Sequence, residues 1–170
     1  TTIAKVNGAA DVEVLRRIHA TVAGHRPVTA ALGDAADEAA IECAARAFTA
    51  EGASLVKLGF AGIASAADVA ALTAAAVRGA GPGPGGPGGV VAVAYADAHR
   101  VGSIAPAALL ELAARAGAKG VLLDTADKAG PGLRDLVAET ALAAWVTEAH
   151  EAGLFVALAG KLTAGDLPFV

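Results

Sequence analysis

Val121-Leu122-Leu123-Asp124-Thr125-Ala126-Asp127-Lys128 reads as a strand that ends in reactive side chains. Three consecutive apolar residues mark a strand buried on both faces, as in a parallel sheet. The run then delivers a carboxylate, Asp124, and four residues later an ammonium, Lys128. In barrels of alternating strands and helices, side chains at the C-terminal ends of strands carry the reaction. A second run, Ser54-Leu55-Val56-Lys57-Leu58-Gly59-Phe60, sets a lysine inside an apolar strand. An ammonium there is costly unless it is paired or used. Two strands bringing lysine and carboxylate to one mouth point to amine chemistry on a carbonyl substrate.

Working outward, strand-like and helix-like runs alternate along the chain. Thr1 to Ala4 reads as a short strand and Asn7-Gly8 as the turn after it. Asp11 caps a helix to about Val22, with Val14, Leu15 and Ile18 on one face. Pro27 to Leu32 is a strand ending at Gly33-Asp34, and a helix from about Asp37 to Ala50 leads to the strand of Lys57. Ser65 caps a helix ending near Arg78. The strand Val90 to Ala96, the helix Ala105 to Ala116 and the strand Gly120 to Thr125 follow. A helix from Leu136 to Ala152, carrying Trp145, and a strand from Leu154 to Ala159 complete the pattern.

Such alternation gives an open doubly wound sheet or a (β/α)8 TIM barrel. Polar residues recur at strand ends (Lys5, Asp34, Lys57, Asp97 and Asp124), which favours the α/β barrel. A full barrel takes about 250 residues. The expectation is therefore one (β/α) barrel domain over residues 1–170, with strand-helix units missing at both ends. The lack of methionine and a start within a strand point the same way.

Composition bounds the function classes. The chain of 170 residues is 55% hydrophobic and only 4% aromatic, enough for a core of small aliphatic side chains. Its net charge is −4 and its basic residues are scattered, so neither nucleic acid nor an anionic membrane is an expected partner. No apolar run approaches the roughly 20 residues needed to span a bilayer, and no signal peptide is evident. A cytoplasmic protein is expected. The single cysteine, Cys43, excludes a disulfide framework and reads as a small buried hydrophobe. The four histidines show no metal-ligand spacing, so no metal site is expected.

Several candidates stay open on the residues alone. Leu55, Lys57 and Gly59 share one strand face, and Gly59 leaves room beside the lysine for a ligand. The alternative for Lys57 is a side chain snorkelling from a strand edge. Asp124 and Lys128 form either part of a site or a surface pair of little worth. A lysine beside another cation is more readily neutral, and imine formation needs the neutral amine. Lys5 points to the same mouth or is simply solvated. Asp34 caps the next helix or lines the site. Asp97 and Arg100 contact a phosphate or hydroxyl, or make a loop salt bridge. The glycine-rich stretch Gly79 to Gly89 runs from helix to strand, whereas phosphate cradles run from strand to helix. It reads as a flexible linker on the barrel face opposite the site.

The segments Val56-Lys57-Leu58-Gly59, Tyr95-Ala96-Asp97-Ala98-His99-Arg100-Val101-Gly102, Leu123-Asp124-Thr125-Ala126-Asp127-Lys128 and Ala157-Leu158-Ala159-Gly160 resemble the (5-formylfuran-3-yl)methyl phosphate synthase family. They fall in that family's order, and the likeness extends over about Val28 to Val170. It implies a TIM barrel that condenses two glyceraldehyde 3-phosphate molecules through a lysine Schiff base, a lyase step in methanofuran biosynthesis. It implies no cofactor, a phosphorylated aldehyde as small-molecule partner, and leaves homo-oligomerisation open. By the same resemblance Lys5 forms the imine, Lys57 accepts a proton, and Asp124 and Lys128 are its acidic partner and third lysine. Asp34, Asp97, Arg100 and Gly160 are taken beside them as candidate substrate contacts. At Lys5 the chain departs from the family's Asp-x-Lys-x-Pro pattern, with Ile3 in place of the Asp and no following Pro. The rival readings are a class I aldolase for another sugar phosphate and a non-catalytic barrel used as a binding module.

Overall fold

The computed structural model describes residues 4–6, 11–34, 37–82 and 86–170. The Asn7-Gly8 turn, the start of the first strand and the Lys5 side chain lie outside them. Six strands form one sheet: β1 (Ala4–Val6), β2 (Val28–Asp34), β3 (Ala53–Gly59), β4 (Val90–Tyr95), β5 (Gly120–Asp124) and β6 (Phe155–Leu158). Every neighbouring pair is parallel and the spatial order is the sequence order, β1-β2-β3-β4-β5-β6. A doubly wound sheet reverses its order at a switch point. This one never does, so it is the wall of a TIM-type barrel, present in part.

Helices α1 (Val12–Val22), α2 (Glu38–Ala50), α3 (Ala66–Gly79) and α4 (Pro106–Ala116) fill the successive crossovers, followed by α5 (Leu133–Leu136) and α6 (Glu139–Glu151). Three starts follow from local chemistry. The side chains of Asp11, Asp37 and Ser65 accept backbone N–H bonds from Glu13, Ala40 and Asp68, replacing partners that a first helical turn lacks. The crossover after β5 departs from the expected single helix. Leu136 closes the short α5, and Val137 and Ala138 are extended before α6 begins.

The period-two pleat sorts the core into two layers. Along β4, Val90, Ala92 and Ala94 pack outward against the helices, while Val91, Val93 and Tyr95 pack inward with Leu122. The outer layer is closed by Leu109 and Leu110 of α4 and by Trp145 of α6, whose indole N–H donates to the Pro106 carbonyl at 3.1 Å. Two apolar assignments fail here. On α1 the inward residues are Leu15 and, partly, Ile18 and Val22, whereas Val14 is 40% exposed. Cys43 is exposed rather than buried. It sits two positions from both Ile41 and Ala45, the buried residues of α2, which turns it to the outer side.

The glycine-rich stretch begins one residue inside α3, because Gly79 is that helix's last residue. A Cβ on Gly79 would stand 2.2 Å from the Glu42 carbonyl oxygen, so this glycine lets α3 close on α2. The Gly89 carbonyl, immediately before β4, accepts the N–H of Val56 on β3. The stretch therefore joins the N-terminal end of the wall, as its helix-to-strand position predicts. No helix among the described residues is long and apolar enough to cross a membrane.

Candidate active site

A cavity of about 600 Å³ opens at the C-terminal ends of the strands. Asp34 of β2, Lys57 and Gly59 of β3, Tyr95 of β4, and Asp124, Thr125 and Lys128 at and after β5 line it. The two lysines and the Asp124 carboxylate singled out from the sequence thus face one space.

Asp34 reaches that space through an irregularity. The β2–β3 register shifts between Ala31 and Gly33, and Gly33 adopts φ 84°. By simple alternation Ala31 and Asp34 would face opposite sides. The extra residue puts both on the cavity side, a frequent use of bulges near active sites. Asp34 therefore lines the site, and it is Asp37 that caps the next helix. Asp34 Oδ1 accepts the Ala61 N–H and the Tyr95 hydroxyl, each at 2.9 Å.

The bond between Asp34 and Tyr95 passes over Gly59. A Cβ there would lie 2.3 Å from Asp34 Oδ1 and 2.4 Å from the tyrosine hydroxyl. The room that Gly59 leaves is thus occupied by this hydrogen bond, not kept vacant for a ligand. Burial first, and then the Asp34 carboxylate, push the Tyr95 phenol well above its usual range. Sequence reasoning passed over Tyr95. The available signal was its place as the last residue of β4, opposite Asp124 in register.

On β5, Asp124 is buried and its Oδ1 accepts the Thr125 N–H at 2.8 Å and Lys128 Nζ at 2.9 Å. Lys128 also donates to the Thr125 carbonyl. Its side chain is 66% exposed, so the pair contributes little stability and leaves the ammonium accessible from the mouth. Thr125 is fully buried, and its hydroxyl has no hydrogen-bond partner among the described residues.

The structure gives the remaining candidates other tasks. Asp97, expected at the substrate, is buried, and its two oxygens accept the Ala126 and Asp127 N–H groups at 2.8 Å each. It shapes the loop that carries Lys128 because both oxygens are committed to backbone. Burial works against its charge, but these amide bonds outweigh it and hold the carboxyl below the usual range. Arg100 does not pair with Asp97. It lies on the surface, 4.0 Å from Asp127, and outside the cavity lining. Gly160, at φ 106°, accepts the Leu133 N–H and leaves no room for a Cβ against Thr125, so it packs the loop behind the site. The backbone of Lys5 stands in register with Thr29. Among the described residues no group of three or more His, Cys, Asp or Glu is placed to hold a metal ion.

Residues 7–170 match the model of the 4-HFC-P synthase family. The chain belongs to that family. Among curated members, a (5-formylfuran-3-yl)methyl phosphate synthase of Methanopyrus kandleri is 49% identical over 81 residues, 48% of this chain and 34% of its own. One from Methanococcus maripaludis is 34% identical over 161 residues, covering 92% of this chain and 66% of its own. A Streptomyces griseus protein assigned to the same synthase is 41% identical over 155 residues, 91% of this chain. The chain spans 62% of that relative's length. A solved orotidine 5'-phosphate decarboxylase from Lactobacillus acidophilus superposes with a TM-score of 0.52 at 17% identity, over 92% of this chain and 77% of its own. A candidate lyase/mutase from Burkholderia cenocepacia does so at 0.63 and 18%, over 89% and 62%. Both likenesses concern the fold alone. The segments that carry the resemblance in this 4-HFC-P synthase family member line or brace the cavity.

Proposed function

We propose that the protein condenses two molecules of glyceraldehyde 3-phosphate into (5-formylfuran-3-yl)methyl phosphate through a lysine imine, in the making of a methanofuran-type cofactor. The observation that carries this reading is the convergence of Lys57 with the Asp124–Lys128 pair on one cavity. Two triose phosphates, less one inorganic phosphate and two waters, have the composition of the product.

Lys5 attacks the aldehyde carbon of the first triose phosphate, and loss of water gives the imine. The iminium draws electrons from the adjacent carbon, and Lys57 takes the proton released there, leaving a nucleophilic enamine. That carbon attacks the aldehyde of the second molecule. The Lys128 ammonium, held by Asp124, polarises the accepting carbonyl and donates as charge develops on its oxygen. Dehydration and ring closure then expel two waters and phosphate, and one water hydrolyses the imine, freeing Lys5 and the furan aldehyde, so the water lost in forming the imine is returned. The assignment of Lys5, which stands within β1, rests on the sequence resemblance alone.

The test is borohydride reduction of the protein mixed with glyceraldehyde 3-phosphate, followed by peptide mass spectrometry, beside a spectroscopic assay for the furan aldehyde. A reduced adduct on Lys5 and furan formation are expected. Furan without any lysine adduct would remove the imine. An adduct with a different product would make the protein an aldolase for another reaction, and neither signal would leave a binding module.

A further inference from the structure

The chain's single tyrosine is locked in place on the cavity wall. The residue is 9% exposed and packs with Val91, Val93 and Leu122 in the inner layer. Its hydroxyl donates to Asp34 Oδ1, which the Ala61 N–H fixes from the other side. Gly59 permits the bond and blocks nothing. A neutral phenol has one proton to give and lone pairs to receive. Burial and the surrounding carboxylates of Asp34, Asp124 and Asp97 disfavour tyrosinate. The oxygen is thus poorly suited to act as a base, and its proton is spent on Asp34. Whatever meets it from the cavity must be a donor.

We propose that Tyr95 is a specificity-determining residue whose phenolic oxygen accepts a hydrogen bond from the substrate hydroxyl on the carbon next to the aldehyde. This rests on the triose-phosphate reading above, since that substrate class carries one free hydroxyl and carries it there. A site built to bond a hydroxyl discriminates against an analogue lacking it, because the site's polar group is then left unpaired. Asp34 acts through Tyr95 as its positioning residue.

The test uses two unreactive probes that differ only in the middle hydroxyl, glycerol 3-phosphate and propane-1,3-diol monophosphate, titrated calorimetrically into the protein. The native protein should bind the first at least about 10-fold more tightly. In Tyr95→Phe the two should come within about twofold, the first probe having lost affinity. An unchanged preference in a folded Tyr95→Phe would overturn the proposal and leave the triose-phosphate reading intact. Failure of both probes to bind the native protein would overturn the two together. A second measurement needs no ligand. Alkaline titration of tyrosinate absorbance reads Tyr95 alone, and ionisation should begin only above an ordinary phenol's value of about 10. Replacing Asp34→Asn should bring it down. Native ionisation at the ordinary value would show the proton uncommitted and overturn the proposal.

Discussion

Glycine does opposite work at the two ends of the barrel wall. At the C-terminal mouth, the missing side chain of Gly59 lets a carboxylate and a phenol meet over a strand. At the N-terminal end, Gly79 lets one helix rest on another helix's carbonyl, and a Cβ on Gly88 would stand 2.3 Å from the carbonyl oxygens of Ala80 and Gly81. The first glycine admits polar side chains and hence chemistry. The others admit backbone and hence only packing. The difference teaches that a glycine's role follows from what occupies its vacant Cβ position, not from how many glycines surround it.

If the mouth alone carries the reaction, the largest effect belongs to Lys57. Lys57→Ala should lose at least about 10²-fold in kcat, the low end for a positioned acid or base, with the melting temperature maintained. Lys57→Arg should not restore turnover, because a guanidinium stays protonated. Steady-state kinetics beside a melting curve decides between a reacting amine and a structural one. Full activity in the alanine variant would erase the contrast between the two ends.

Asp97 sharpens it. Its two oxygens pin the loop from Ala126 to Lys128, so Asp97→Asn turns one acceptor into a donor facing a donor. Turnover should fall by about 10-fold, with a stability loss of about 1–3 kcal/mol for the unsatisfied amide. The sign of the pH effect follows from the lowered carboxyl. A folded value below the unfolded one adds stability that is full above about pH 4 and is lost as pH falls through the folded value. Acid unfolding curves should show this extra loss in the native protein and not in Asp97→Asn.

The smallest effect is expected at the other end. Shortening the stretch between Gly81 and Gly88, with both retained, should leave kcat within about twofold, because helix-to-strand loops lie away from the chemistry. A large loss with the fold preserved would mean that the far end feeds the mouth.

The alternation of elements was legible because each part carries its own local signal. Asp11, Asp37 and Ser65 announce helix starts, and runs such as Val121-Leu122-Leu123 announce buried strands. Lys57, Asp124 and Lys128 were legible because a charge within or just after an apolar strand is costly to keep there without a partner or a use. Tyr95 and Asp34 were harder, being partners 61 positions apart whose meeting depends on a register shift near Gly33. Alternation alone places Asp34 on the wrong face. Asp97 misled because an acid at a strand end looks the same whether it faces substrate or backbone amides. Val14 misled because it stands four residues before Ile18 yet falls at the margin of the stripe that Leu15, Ile18 and Val22 bury, and Cys43 because the alanine-rich α2 offers a weak contrast between its sides.

The unbroken strand order also governs how the molecule can be assembled. Each strand pairs with the one made just before it, as Gly120 does with Val91 and Phe155 with Gly120. Every ladder can therefore close one strand-helix unit behind the growing end of the chain, without waiting for distant sequence. Emerging from the ribosome, the sheet can lengthen plank by plank, and the mouth takes shape at the rate of synthesis, with Asp34, Lys57, Tyr95 and Asp124 arriving in that order.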